Sequence, residues 1–247
     1  MPTADAIAFI EPDWPVPPRV RAFITTRAGG VSGGPYAGLN LGDHVGDDPA
    51  AVAQNRARLA AHLPASPLWL RQVHGIEVAD PGRDRPGREA DASFTRQPGQ
   101  VLAVLTADCL PVLLAEESGS AIAIAHAGWR GLAAGVIERS VAALGVAPRR
   151  LVAYLGPAIG PRAFEVGHDV RDAFLRNDAA AASAFVPAAP DKWLADLPAL
   201  ARLRLAKIGT TRVYGGNLCT FGDPARFYSH RRDGVTGRMA SLIWLEP

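Results

Sequence analysis

Short apolar runs recur along the chain and alternate with longer segments in which apolar residues repeat at helical spacing. The short runs predict strands at residues 20–26, 68–73, 101–105, 111–115, 121–125, 151–155, 213–214 and 240–245. The longer segments predict helices at residues 49–62, 131–144, 166–174 and 197–208. Because strands and helices are interspersed, the pattern favours a mixed α/β or an α+β architecture.

Glycine and proline mark the boundaries of these elements. Asp48 is a favoured N-cap and Pro49 suits the first helical position, so together they predict a helix start. Residues 27–35 contain four glycines and predict an irregular loop, which would let the backbone approach a ligand closely. That loop lacks the spacing of a P-loop or a dinucleotide fingerprint, so it does not indicate nucleotide binding. Residues 177–189 are rich in alanine and predict a variable surface segment.

Composition narrows the class of protein. The chain has 247 residues, of which 48% are hydrophobic and 20% charged, so we expect a single domain spanning 1–247. The 26 basic and 24 acidic residues are scattered and give a net charge of +2, which argues against nucleic acid or a membrane as partner. No apolar run approaches the roughly 20 residues of a membrane span, and residues 1–21 lack the features of a signal peptide. With only two cysteines, a reducing cytoplasm is the expected location.

Three potential metal ligands lie where apolar runs end. His74 follows the run at 68–73, Cys109 follows the run at 101–105 after a short break, and His126 follows the run at 121–125. Imidazole nitrogen and thiolate sulfur are preferred zinc ligands, and three protein ligands leave a fourth position open for chemistry. Two alternatives stay open at this point: the three residues belong to the core, or Cys109 is a nucleophile with a histidine as its base.

The segment Ser229-His-Arg-Arg-Asp is a second candidate for chemistry. It places one histidine, two guanidinium groups and a carboxylate beside Phe227 and Tyr228, and such a group can bind a phosphate or a carboxylate. A solvated charged face is the alternative interpretation, and the residue types alone do not decide between them.

Eight ordered motifs carry a family resemblance. They are Thr-Thr-Arg-Ala-Gly-Gly-Val-Ser from Thr25, Leu-Asn-Leu-Gly from Leu39, Gln-Val-His-Gly from Gln72, Glu-Ala-Asp-Ala from Glu89, Thr-Ala-Asp-Cys-Leu-Pro-Val from Thr106, Ala-His-Ala-Gly-Trp-Arg-Gly from Ala125, Leu-Gly-Pro-Ala-Ile-Gly-Pro from Leu155 and Ser-His-Arg-Arg-Asp-Gly from Ser229. With these motifs the chain, from about Phe23 to Leu245, closely resembles the YfiH-like family, also called the laccase-domain or polyphenol oxidoreductase family.

The resemblance implies a fold, a metal site and an activity. The expected fold is a single α+β domain with mixed sheets in a four-layer α/β/β/α arrangement, and the expected metal is zinc on His74, Cys109 and His126. Family members are described as purine nucleoside phosphorylases for adenosine, inosine and methylthioadenosine, with adenosine deaminase activity. Other descriptions make them copper-dependent laccases or peptidoglycan-editing enzymes. The chain departs from many relatives at Arg162-Ala163 and at His230, and both changes bear on substrate choice.

Metal chemistry ranks these activities. Multicopper laccases need many histidines, and six in the whole chain do not readily build such an array, so zinc is preferred and copper is kept as a substitute metal. Asp108 is the candidate acid or base, with capping of a turn as its alternative role. Arg231 is the first candidate for binding phosphate, and Asn40 and Arg130 complete the candidate substrate-binding residues.

Two classes of function follow from these residues. The first is a zinc-dependent nucleoside enzyme that acts on purine nucleosides and phosphate as a monomer or a homodimer. The second is a cysteine-dependent hydrolase that edits peptides, in which Cys109 attacks a carbonyl carbon.

Overall fold

The computed structural model describes residues 6–247. Its strands are β1 (Phe9–Ile10), β2 (Val20–Thr25), β3 (Val78–Ala79), β4 (Ala92–Thr95), β5 (Leu102–Thr106), β6 (Leu110–Glu116), β7 (Ile122–Ala127), β8 (Leu151–Leu155), β9 (Glu165–Val166), β10 (Phe185–Pro187), β11 (Trp193–Ala195), β12 (Arg212–Gly215) and β13 (Met239–Leu245). Its α-helices are α1 (Pro49–Ala60), α2 (Trp129–Ala134), α3 (Val136–Leu144), α4 (His168–Leu175), α5 (Leu197–Lys207) and α6 (His230–Asp233). Short 3-10 helices cover Gly34–Tyr36, Pro148–Arg150 and Ala179–Ala184.

The strands form three sheets. A four-stranded antiparallel sheet has the order β1-β2-β13-β5, so the last strand in the chain lies inside it. A six-stranded sheet has the order β12-β8-β6-β7-β4-β3 and is mixed, because β12–β8 and β3–β4 are parallel pairs while the others are antiparallel. A small antiparallel sheet joins β10, β11 and β9. The α+β class with mixed sheets predicted from the sequence is confirmed.

Alternating side chains decide how the two large sheets pack. One face of the four-stranded sheet, with Val20, Ile24 and Ile243, packs on Leu113 and Ile124 of the six-stranded sheet. The opposite face of the six-stranded sheet is covered by helices α2 to α5, and the opposite face of the four-stranded sheet by α1 and the loop before it. Strands β5 to β8 are buried along their whole length, which explains why they are continuous apolar runs in the sequence.

The strand predicted at residues 68–73 is wrong. This segment makes only single bridges, from Leu68 to Leu102 and from Arg71 to Glu89. One side chain makes the hydrogen bonds that a paired strand would make. The Gln72 amide donates to the Leu105 carbonyl oxygen at 2.8 Å and accepts from the Leu105 N–H at 2.7 Å. An apolar run indicates burial, but it does not reveal that a side chain will take the place of a neighbouring strand.

Three other predicted segments also have a structure different from the one expected. The helix predicted at 131–144 is two helices, α2 and α3, because Gly135 has φ +107° and its left-handed conformation ends the first one. The helix predicted at 166–174 begins at His168, since Val166 pairs with Trp193 in the small sheet. The segment at 177–189 is not wholly on the surface, because Phe185 and two alanines before it are buried.

Within residues 6–247, none of the helices combines the length and the apolar character needed to cross a membrane.

Candidate metal centre and adjoining cavity

His74 stands on the loop that follows the bridged segment at 68–73. Its backbone has φ +61°, an uncommon conformation for a residue with a side chain. The buried carboxylate of Asp91 holds the loop: it accepts hydrogen bonds from the N–H groups of Val73 at 3.1 Å, His74 at 2.9 Å and Gly75 at 2.7 Å. This bonding compensates for the backbone strain and directs the exposed imidazole of His74 toward Cys109.

Cys109 lies in the tight connection between β5 and β6. The preceding residue, Asp108, has φ +90°, so the chain turns sharply before the cysteine. The Asp108 carboxylate accepts hydrogen bonds from Thr220 Oγ1 at 2.5 Å, Ser229 Oγ at 3.0 Å and the Arg231 N–H at 2.7 Å. Asp108 therefore ties this turn to the loop at Thr220 and to the start of helix α6. Its acid–base role stays a prediction.

His126 is supplied by β7 and is almost fully buried. Its Nδ1 lies 2.8 Å from Asp91 Oδ1, and its backbone N–H donates to the Asp91 carbonyl oxygen at 2.7 Å. A carboxylate is an acceptor, so Nδ1 carries the proton and Nε2 is left free to bind a metal. Asp91 thus fixes the orientation and tautomer of one histidine and the backbone of the other.

The three side chains converge on one point. Their ligand atoms all lie within 4.8 Å of one another, and Cys109 Sγ is 3.7 Å from His74 Nε2. Gly128 makes this approach possible, because a Cβ there would lie 2.7 Å from His74 Cδ2 and 3.0 Å from Cys109 Sγ. One thiolate and two imidazoles this close together suit a transition metal with bonds of about 2.0–2.3 Å. The predicted convergence of the three residues is confirmed, while the identity of the metal stays a prediction.

Electrostatics favour the ligand form of the cysteine. Burial raises the pKa of Cys109, but the neighbouring His126 and His74 outweigh it and hold that pKa below its usual value. Burial lowers the pKa of His126, but Cys109 and Asp91 outweigh it in turn and raise that pKa. The protein alone therefore stabilises a thiolate at this position, and a thiolate is the form that binds a metal.

The His–Cys–His cluster opens into a cavity of about 410 Å³. Its other ionisable lining residues are His44, Arg130, His230 and Arg238. Within the described residues no carboxylate lines it, so the cavity is suited to an anionic or strongly polar ligand.

The other sequence-predicted residues occupy different positions. Arg130 lines the cavity, with its guanidinium 4.4 Å from the centre of the Trp129 ring. Asn40 is buried outside the lining and uses its amide to bind neighbouring backbone. Arg231 directs Nη1 to the Glu165 carbonyl oxygen at 2.8 Å and is not part of the lining. The substrate-binding roles of these three residues stay predictions.

Three residues of the candidate site escaped the sequence prediction. Asp91 stands in the Glu-Ala-Asp-Ala motif before β4, where a lone carboxylate between small residues was the available signal. His44 and Arg238 join the cavity from loops that carry no apolar pattern of their own. Only the tertiary structure shows that these residues meet.

Known proteins resemble the chain over nearly all of its length. A purine nucleoside phosphorylase of Pseudomonas aeruginosa is 57% identical over 240 residues, covering 97% of this chain and 99% of that protein. A purine nucleoside phosphorylase named YfiH, from Escherichia coli K12, is 53% identical and covers 96% and 98%. A crystal structure of the Neisseria meningitidis protein NMB0706 superposes with a TM-score of 0.93 at 51% identity, covering 97% and 99%. Residues 21–246 match the family described as multi-copper polyphenol oxidoreductase laccase, and the chain therefore belongs to that family.

Proposed function

We propose that this chain is a zinc-dependent purine nucleoside phosphorylase that acts on adenosine, inosine and methylthioadenosine, with adenosine deaminase as a side activity. The observation that carries the proposal is a His–Cys–His cluster that opens into a cavity lined by cations and free of carboxylates among the described residues. The names of the Pseudomonas and Escherichia relatives supply the reaction class.

Phosphorolysis makes clear demands on such a cavity. An oxygen of phosphate forms a bond to C1′ of the ribose while the bond from C1′ to N9 of the purine breaks, and the electron pair leaves with the base, which then gains a proton. The phosphate and the purine nucleoside, both rich in electron density, must therefore lie side by side in the cavity. Arg130 neutralises phosphate charge at this position, as guanidinium groups commonly do.

The protein's own residues keep the centre ready for this chemistry. Asp91 holds the backbone of His74 and the imidazole of His126, so little reorganisation is needed when substrates bind. His74, Cys109 and His126 would hold the zinc ion, which would supply Lewis-acid charge to the cavity when bound. Copper fits the same ligands and is kept as a substitute metal, in line with the family description.

One observation favours a second candidate, a cysteine-dependent peptidoglycan-editing hydrolase. Cys109 Sγ lies 3.7 Å from His74 Nε2, and the site favours its thiolate form, as a cysteine nucleophile requires. In that reaction the sulfur attacks a carbonyl carbon, the amine leaves with a proton, and water then releases the acid. Copper-dependent polyphenol oxidation is a third and weaker candidate.

Incubation of zinc-loaded protein with adenosine, with and without phosphate, tests the proposal. Adenine released only with phosphate, together with ribose 1-phosphate, is the expected result, and inosine formed without phosphate reports the side activity. A metal-stripped sample that regains both activities with zinc is the matched control. Cleavage of muropeptides by the metal-stripped protein, with no turnover of nucleosides, would replace the proposal by the hydrolase.

A further inference from the structure

Arg238 is the cation of the cavity that the mechanism leaves least explained. It is half-buried immediately before β13 and lines the cavity beside the metal centre. Its Nη1 donates to the carbonyl oxygens of Thr236 at 2.9 Å and Gly237 at 3.0 Å. Within residues 6–247, its Nε and Nη2 donate to no protein acceptor and no carboxylate pairs with it. A guanidinium has five N–H donors, so several of these remain available to a ligand.

The surrounding protein holds Arg238 in place. Asn40 Oδ1 accepts hydrogen bonds from the backbone N–H groups of Arg238 and Gly42, both at 2.9 Å. Gly42 makes room for the side chain, because a Cβ there would lie 2.8 Å from Arg238 Cγ. The Asn40 amide nitrogen is itself fixed by Asp47 at 2.8 Å. The guanidinium therefore loses little freedom when a ligand binds.

The nearby anionic groups balance this charge only in part: burial lowers the pKa of Arg238, and the opposing effects of Cys109 and Asp108 do not cancel it. The Asp91 carboxylate accepts four hydrogen bonds, from His126 and from three backbone N–H groups. The Asp108 carboxylate accepts three, two of them from hydroxyl groups. A partly desolvated cation that forms no ion pair within residues 6–247 favours an anion from solution, and Arg130 adds a second positive charge at the exposed side.

We propose that Arg238, positioned by Asn40 and Gly42, is the principal residue of a phosphate-binding subsite beside His74, Cys109 and His126. The subsite deepens the proposed phosphorolysis and rests on it for the identity of the anion. Arg238 contacts the phosphate, whereas Asn40 and Gly42 act through Arg238.

Direct binding of inorganic phosphate to the zinc-loaded full chain tests the subsite by calorimetry. Arg238→Gln keeps a polar side chain but removes the charge, and we expect phosphate affinity to fall roughly ten- to hundred-fold. Arg238→Lys keeps the charge without the planar fork. Its phosphate affinity should therefore lie between those of the wild-type protein and Arg238→Gln. Arg202→Gln is the matched control, because Arg202 is also half-buried and donates to a carbonyl oxygen, that of Gly215, outside the cavity.

Steady-state kinetics separate the contact from its positioning. In Arg238→Gln we expect the KM for phosphate to rise while the KM for adenosine in deamination stays within about two-fold, a change too small to reflect a lost charged hydrogen bond. Gly42→Ala should raise the KM for phosphate in the same selective way, because its methyl group displaces the Arg238 stem. Equal changes in both reactions would make these residues structural and overturn the assignment.

The outcomes distinguish this subsite from the proposed function. Unchanged phosphate affinity in folded, zinc-loaded Arg238→Gln and Arg238→Lys overturns the subsite, even if the wild-type protein cleaves adenosine. Phosphate binding that depends on Arg238, in a protein that never releases adenine, supports the subsite and removes the phosphorylase proposal. If Arg238→Gln does not fold, Arg238→Lys decides, since it retains the charge and the aliphatic stem.

Discussion

Replacing Asp91 by asparagine tests how the metal centre is held together. The carboxylate is fully buried and accepts hydrogen bonds from His126 Nδ1 and from the N–H groups of Val73, His74 and Gly75. An amide has one acceptor oxygen, so in either orientation two of the four donors would face its NH₂ group.

The expected loss follows from those unsatisfied donors. Each buried donor left without a partner costs about 1–3 kcal/mol, so Asp91→Asn should lower the free energy of unfolding by roughly 2–6 kcal/mol. Zinc affinity should fall about 10- to 100-fold, because Asp91 no longer fixes the tautomer of His126.

Two measurements on one preparation check these magnitudes: urea unfolding of the metal-stripped protein and zinc titration against a chelator of known affinity. Asp48→Asn is the control, because Asp48 caps α1 through the Ala50 N–H, and asparagine is an equally good cap. A change below about 0.5 kcal/mol with unaltered zinc affinity in Asp91→Asn would refute the reasoning, since surface substitutions produce effects of that size.

Three further predictions concern the thiols, the glycine at the centre and a buried acid. Cys109→Ser should lower zinc content and activity together, whereas Cys219→Ser should leave both unchanged by metal analysis and adenosine assay; full zinc content without activity would indicate a nucleophilic Cys109. Gly128→Ala should weaken zinc binding roughly ten-fold, because the added methyl group lies against the ligands, while Gly33→Ala meets no atom within 4 Å and should be neutral in the same titration. Glu116 is buried, which raises its pKa, but hydrogen bonds from two serines outweigh this and lower the pKa from 4.5 to about 2. The ionised Glu116 therefore contributes about 3 kcal/mol at most to the free energy of unfolding. This contribution is complete above pH 4.5 and is lost as the pH falls toward 2, so Glu116→Gln should flatten this part of a plot of unfolding free energy against pH.

Where the chain is buried on both sides, its sequence predicts the fold well. The apolar run at residues 151–155 coincides with β8, because a strand covered on both faces needs no polar alternation. Asp48 and Pro49 predict the start of α1, and Asp48 indeed accepts a hydrogen bond from the Ala50 N–H. In both cases the signal is local, so neighbouring residues are sufficient to decide it.

The remaining features depend on distant contacts. The segment at 68–73 resembles a strand in sequence, but the Gln72 side chain occupies the pairing position on Leu105. Residue types at the ends of apolar runs singled out His74, Cys109 and His126 but left their role open, and the resemblance to the YfiH-like family was needed to predict that they form one site. Residue types could not reveal that Asp91 links the histidines, or that Arg238 is directed into the cavity while Arg231 is bonded to the Glu165 carbonyl oxygen.

The interior position of β13 has a consequence for the order in which the protein matures. This strand separates β2 from β5, so the four-stranded sheet closes only after residues 239–245 have left the ribosome. Pairing across such sequence separations is slow, because loop closure precedes the gain from contacts. Arg238 directly precedes β13 and arrives with it. The turn that carries Cys109 also depends on the end of the chain, because β5 pairs with β13 and Asp108 is bonded to Thr220, Ser229 and Arg231. The three candidate ligands and the cavity are therefore completed together, late in folding.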